Sequence, residues 1–213
     1  LAAGIIALSG WDKKSTFIDP MCGSGTFLIE AALMAQNIAP GLFRRDPYGF
    51  EKWKDYNEAL FEMVWNTAEA KEKRTPQAQI IGYDLDADYI EAAHGNIENA
   101  SLQDFIKLEK ANFFETQAPS ASGVVVMNPP YNERIQSDDI NELYKNIGDT
   151  LKNSYQGFDA FVFTGNLDAA KSIGLRTSRR VPLYNGAIEC RLLKYELYRG
   201  SRRGEGAGAA ESL

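Results

Sequence analysis

The sequence predicts an α/β fold: a mostly parallel sheet with helices on both faces, closed by an antiparallel hairpin. Short runs rich in Ile, Val and Phe alternate with longer stretches of helical period, the pattern of strand-helix-strand units. Asn185-Gly186 separates two strand-like runs near the end, and Asn-Gly is the strongest short hairpin signal because both central residues of a type I′ turn need positive φ. With 213 residues, 44% of them hydrophobic, the chain is long enough for one well-cored domain and too short for two comfortable ones.

The elements follow in order. Leu1 to Leu8 is apolar and Ala-rich and reads as the inside of a helix with no N-cap before it, so the chain is expected to be part of something longer. Strands are expected at Thr16 to Asp19, Ile80 to Asp84, Ile106 to Glu109, Val124 to Asn128 and Phe158 to Thr164. Between them, Tyr89, Ala93, Ile97 and Ala100 form one apolar stripe at helical spacing, and Ile140, Leu143, Tyr144, Ile147 and Leu151 form another. Residues 40–76 break the rhythm and read as an insertion after the first helix of the sheet, with a helical side made of Trp53, Tyr56, Leu60 and Val64. The hairpin strands are Arg180 to Tyr184 and Ala187 to Tyr198, both faces of which are expected to pack. Gly200 to Leu213 has the composition of a flexible tail or linker.

Composition excludes several function classes. Two cysteines far apart, Cys22 and Cys190, and a single histidine, His94, lack metal-ligand spacing and make a disulfide framework or a Cys/His zinc site unexpected. No metal is expected. No run of about eighteen apolar residues suggests a membrane span, and a cytoplasmic setting fits. The formal charge of -6 by itself argues against a protein that grips nucleic acid unaided. Residues 176–203 nevertheless carry eight basic side chains against two acidic ones, a solvated basic face or a phosphate-contacting edge.

The run Asp19-Pro20-Met21-Cys22-Gly23-Ser24-Gly25-Thr26 joins a strand to a helix at the carboxyl edge of the sheet, where doubly wound folds bind ligands. Gly23 and Gly25 let the backbone turn tightly beside a ligand. A dinucleotide fingerprint would need a third glycine where Leu28 stands, and a P-loop would need Gly-Lys-Ser/Thr, which is absent. The second strand ends in Asp84-Leu85-Asp86, which puts the Asp84 carboxylate where it accepts hydrogen bonds from both hydroxyls of a ribose. Asp86 is expected to N-cap the next helix. The third strand leads to Asn112-Phe113-Phe114, an amide for an adenine amino group and a phenylalanine to cover the ring or pack in the core. Cys22 is expected to be inert packing beside the cofactor loop, and His94 to be structural or exposed.

The most specific signal is Asn128-Pro129-Pro130-Tyr131 after the fourth strand. Two successive prolines stop the ladder and fix a rigid turn, which leaves the Asn128 side-chain oxygen and the Pro129 carbonyl as acceptors. Acceptors that grip the hydrogens of an aryl amine favour a pyramidal nitrogen whose lone pair is aimed at an electrophilic sulfonium methyl, while Tyr131 stacks on the base. This chemistry is direct in-line transfer, with no metal, covalent intermediate or strong general base.

The loop Asp19 to Thr26 with the following Phe27 to Ala32, the segment Ala39 to Leu42 with Gly49, Phe50 and Trp53, the run Asn128 to Arg134, and Leu183 to Cys190 with Tyr195 together resemble one family. These are the bacterial ribosomal RNA guanine-N2 methyltransferases with a THUMP RNA-binding domain, often labelled N6-adenine-specific DNA methylases. The resemblance covers about residues 1–199. It implies a Rossmann-like class I methyltransferase fold with seven strands, S-adenosylmethionine held by the loop residues Asp19 and Met21 to Thr26 together with Asp84, Leu85, Asn112 and Phe113, and the target amine held at Asn128 to Tyr131. It further implies that the RNA-binding N-terminal domain lies outside this chain. The family's usual glycine after the Asn-Pro-Pro-Tyr motif is Asn132 here. Arg134, beyond the motif, meets a phosphate or pairs with an acidic neighbour, and Arg179 and Arg180 are candidate substrate contacts.

Guanine N2 and adenine N6 are both exocyclic aryl amines, so the motif alone does not separate an RNA guanine enzyme from a DNA adenine enzyme. Only about fifty residues lie between Tyr131 and the hairpin, too few for a DNA target-recognition region, which favours RNA, ribosomal above all. Transfer RNA guanine, protein glutamine and a non-catalytic cofactor-binding module remain alternatives.

Overall fold

A computed structural model of the chain describes residues 1–44, 46–130 and 137–198. The described residues form a seven-stranded sheet in the order β3-β2-β1-β4-β5-β7-β6, parallel except for β7, which runs antiparallel to both neighbours. The strands are β1 Thr16–Asp19, β2 Ile80–Asp84, β3 Ile106–Lys110, β4 Gly123–Met127, β5 Phe158–Thr164, β6 Arg179–Asn185 and β7 Ile188–Glu196. Five helices flank them: α1 Ala2–Ser9, α2 Thr26–Gln36, α3 Glu58–Glu69, α4 Ala87–Asn99 and α5 Ser137–Ser154. The expected fold class is the observed one. The one shift at the motif is that β4 ends at Met127, so Asn128 already belongs to the turn, because the prolines after it deny the ladder further donors.

Side-chain alternation divides the interior into two layers, one on each sheet face. Val124 and Val126 join Leu28, Ala31, Ile97, Phe161 and Leu192 on the α1 and α2 side. Val125 and Met127 join Tyr144, Ile147, Tyr155, Val162 and Tyr195 on the α5 side. Two buried glycines allow the close approaches that seal these layers. A Cβ on Gly82 of β2 would collide with Leu28 and lie 2.9 Å from Leu108, and one on Gly148 of α5 would collide with the backbone of Ile173.

The insertion differs from its expected form. Its helix starts only at Glu58, where Asn57 caps it by accepting from the Leu60 N–H at 3.0 Å. Trp53 lies outside the helix, and Leu60 and Val64 are exposed rather than packed. The side that packs is Phe61 and Trp65, one turn apart, in a ladder with Tyr48 and Phe50 at centroid spacings of 5.1, 5.5 and 5.8 Å. Ring-to-ring contacts within the insertion, rather than burial on the sheet, set the helix's orientation. The returning chain is fastened by buried Gln36, whose amide donates to the Lys73 and Thr75 carbonyls at 2.7 and 2.8 Å and accepts from the Gln77 N–H at 3.1 Å.

Candidate active site

The loop after β1 is held against β2 by main-chain bonds. Met21 N donates to Asp19 Oδ1 at 3.2 Å, Cys22 N to the Tyr83 carbonyl at 2.9 Å, Gly23 N to Asp84 Oδ2 at 2.9 Å and Gly25 N to the Cys22 carbonyl at 2.8 Å. Gly23 and Gly25 sit at φ of 51° and 85°, the left-handed region that favours glycine. At Gly25 a side chain would also press on Ala93 of α4, 3.3 Å away. Asp84 Oδ1 accepts from the Asp86 N–H at 3.0 Å, and Asp86 caps α4 as expected, accepting from Asp88 N at 2.9 Å. Each oxygen of Asp84 therefore ties down a loop and keeps lone-pair capacity for a ligand.

Electrostatics at the loop reflect depth. Asp19 is fully buried, and burial raises its carboxyl from the ordinary 3.8 to about 8; the neighbouring Asp84 charge adds to the rise and the Met21 N–H opposes it. Burial, with the charges of Asp19 and Asp84, pushes the Cys22 thiol far up, so it is no nucleophile at neutral pH.

A cleft of about 450 Å³ opens at the carboxyl edge between this loop and the end of β4. Of the residues expected to touch a cofactor, Met21, Gly23, Asp84, Leu85, Asn112 and Phe113 line it. Asp19, Cys22, Ser24, Gly25 and Thr26 do not line it. Asp19 and Cys22 are buried beneath the loop, and Thr26 opens α2. Asn128 and Pro130 line the cleft from the β4 side, whereas Pro129 is buried. Tyr131 and Arg134 lie outside the described residues. Asn112 spends its amide locally, with Oδ1 accepting from Phe114 N at 3.1 Å and Nδ2 donating to Glu115 at 3.0 Å, which leaves the oxygen one lone pair.

Phe114, weighed with Phe113 as a cover for the ring, also lines the cleft, and sequence reasoning missed part of the lining: Tyr89 and Leu143 face it. Tyr89 was assigned to a packed stripe, but it is 54% exposed, while Ala93 and Ile97 one and two turns on are buried. Tyr89 sits in the first turn of α4, at the carboxyl edge that opens into the cleft, and lines that cleft instead of the core. No spacing signal separates such a position from a core one. Arg179 and Arg180 are exposed on the edge strand β6 and do not line the cleft.

A larger groove, about 710 Å³, lies between α2 and α3, walled by Leu33, Met34, Ile38, Met63 and Val64. It is away from the loop and the Asn128 turn. Among the described residues no group of three or more His, Cys, Asp or Glu side chains is placed to hold a metal ion, and no helix is long and apolar enough to cross a membrane.

The family model described as RMKL-like, methyltransferase domain, matches residues 1–194. A Synechocystis sp. protein named as a candidate RNA methyltransferase, slr0064, is 44% identical over 199 residues, covering 93% of this chain and 52% of that protein. The ribosomal RNA large subunit methyltransferase K/L of Shewanella amazonensis is 38% identical over 208 residues, covering 95% of this chain and 29% of that protein. The crystal structure of SMU.472, a candidate methyltransferase complexed with SAH, superposes with a TM-score of 0.86 at 35% identity, over 94% of this chain and 52% of that one. The chain thus spans about half the length of the first relative and less than a third of the second.

Proposed function

Because the chain belongs to the RMKL-like methyltransferase domain family, we propose that it uses S-adenosylmethionine to methylate an exocyclic base amine of RNA, guanine N2 of large-subunit ribosomal RNA. The observation that carries this reading is one cavity that holds both the Asp84 carboxylate and the Asn128-Pro130 turn. A ribose-gripping acid and an amine clamp in a single cleft join a nucleoside cofactor to an amine target.

The residues present suit the cofactor. The cleft's volume lies within the range of small-molecule sites. Asp84 has lone pairs for two hydroxyls, and Leu85, Tyr89, Phe113 and Phe114 offer apolar walls to a purine. When bound, S-adenosylmethionine supplies a methyl on a positively charged sulfur. A cation held above the loop would lower the raised carboxyl pKa of buried Asp19.

On the target side, the Asn128 side-chain oxygen and the Pro129 carbonyl accept the two amine hydrogens. Their fixed positions favour a pyramidal nitrogen, and Tyr131 covers the base. Pre-set dipoles of this kind need no rearrangement during reaction. In this reading residues 1–199 are the catalytic domain with 40–76 as its insertion, and parts of the longer relatives outside the matched region choose the RNA. The Synechocystis and Shewanella names favour RNA as the substrate class.

The test is transfer from labelled S-adenosylmethionine to unmethylated ribosomal RNA, transfer RNA and DNA by the full-length protein, with products read as nucleosides. Label in N2-methylguanosine from large-subunit RNA is expected. Label in N6-methyladenine from DNA or in N2-methylguanosine from transfer RNA would overturn the substrate, and no label in any nucleic acid would overturn the base-amine reading.

A further inference from the structure

The β6–β7 hairpin has a position and a chemistry that the cofactor cleft does not use. Register places its tip on the same edge as the Asn128 turn. Met127 of β4 pairs with Val162 of β5, Thr164 at the end of β5 pairs with Arg191, and Arg191 pairs with Pro182. Tyr184 lies two residues beyond Pro182, so it stands roughly 10 Å above the level of Asn128 and about 14 Å to its side, at ~3.3 Å per residue and ~4.8 Å per strand. Gly186 at φ 61° turns the chain there.

Exposed large apolar side chains gather along this edge on the target side of Asn128. Tyr184 is 64% exposed, Ile188 45%, and Leu167, just after β5, 42%. Alternation puts Arg180, Pro182 and Tyr184 on one face of β6, with Arg191 and Glu189 opposite them on β7. Arg191 pairs with Glu189 at 2.6 Å, which neutralises that carboxylate and leaves exposed Arg180 as the charge of the face. Arg179, by the same alternation, points to the other face. In a chain of net charge -6, an exposed aromatic ring with a cation four residues down the same strand face, about 13 Å away, fits a run of unpaired nucleotides: one base stacks on the ring and the phosphate of another nucleotide meets the guanidinium.

We propose that the face Arg180-Pro182-Tyr184 of the hairpin holds unpaired nucleotides flanking the target base, with Tyr184 as the stacking platform. The proposal deepens the RNA reading above and rests on it. It assigns the arginine at position 180, and not its neighbour at 179, to the strand.

The experiment is fluorescence anisotropy of a short fluorescein-labelled single-stranded RNA of mixed sequence, with SAH affinity measured by calorimetry on each variant. Tyr184→Ala is expected to weaken RNA binding about fivefold or more, and Tyr184→Phe, which keeps the ring, to bind as the unaltered chain does. Arg180→Ala is expected to lower the slope of log affinity against log salt by about 0.7, one phosphate on a single strand. Unchanged SAH affinity in all three shows that the fold is intact. RNA binding by Tyr184→Ala equal to that of the unaltered chain would overturn the inference, as would an unaltered chain that binds SAH and no RNA. The nucleoside assay decides the substrate separately, so the hairpin role and the substrate reading fail by different results.

Discussion

The β1–β2 side of the cleft and the β4–β7 side are held in shape by different means. On the first side the protein satisfies itself: loop N–H groups end on the Tyr83 carbonyl and on the carboxylates of Asp19 and Asp84, and the loop lies over a buried acid. On the second side rigidity comes from covalent geometry in Pro129-Pro130, Asn128 is exposed, and further along the same sheet edge Leu167 and Tyr184 are exposed as well. A ligand of fixed chemistry can be met by a preformed, hydrogen-bonded wall. A polymer whose target must be turned into reach is met by a stiff clamp with open surface around it.

The separation of the two walls can be broken most directly at Asn128. Asn128→Ala is expected to lower turnover by about 10²–10³, the cost of losing one preorganised polar group, while SAH affinity stays the same. Parallel loss of SAH affinity would mean that the walls are one unit. At the opposite wall, Asp84→Ala removes a charged acceptor that also anchors Gly23 and Asp86, and calorimetry should show SAH binding weakened by about 10- to 100-fold, from ~1.5–3 kcal/mol for hydrogen bonds to a charge.

Packing sharpens the comparison at a lower level. Gly82→Ala on the cofactor side and Gly148→Ala on the α5 side should each destabilise the fold by about 1–3 kcal/mol in denaturant unfolding. The second is expected to cost more, because Gly148 abuts the backbone of Ile173 whereas Gly82 meets only side-chain tips. Equal values would show that Ile173 can shift.

A separate effect is a pH dependence confined to the β1 wall. Asp19 titrates near 3.8 when unfolded and at about 8 when folded, so between these values the folded chain holds a proton that the unfolded chain has lost. Stability therefore falls as pH rises through that window. Asp19→Asn keeps an acceptor for the Met21 N–H without the charge. Without cofactor, its melting temperature relative to the unaltered chain should rise from acid to alkaline pH, and a constant difference would refute the burial argument.

Much of this was legible in the sequence. β1, β2 and β5 have the expected bounds, the Asp86 cap is where its chemistry placed it, and Asp84, Leu85 and Asn128 reach the cleft; the hairpin is present, but its two-residue turn is Gly186-Ala187, with Asn185 still paired to Ile188 in the ladder. These features are set within a few residues by proline, glycine, capping oxygens and period-two burial, so a short window contains their cause. The inward side of α3 and the exposure of Tyr89 depend on what lies across the fold from them. So does the cleft itself: β1 stands between β2 and β4, and that strand order alone brings the Asp84 end and the Asn128 end to the two sides of one loop. The sequence by itself determined which groups could bind and clamp, because local backbone chemistry carries that information. Tertiary structure decided which of them share a cavity, because strand order and edge exposure arise from contacts between residues far apart in the chain.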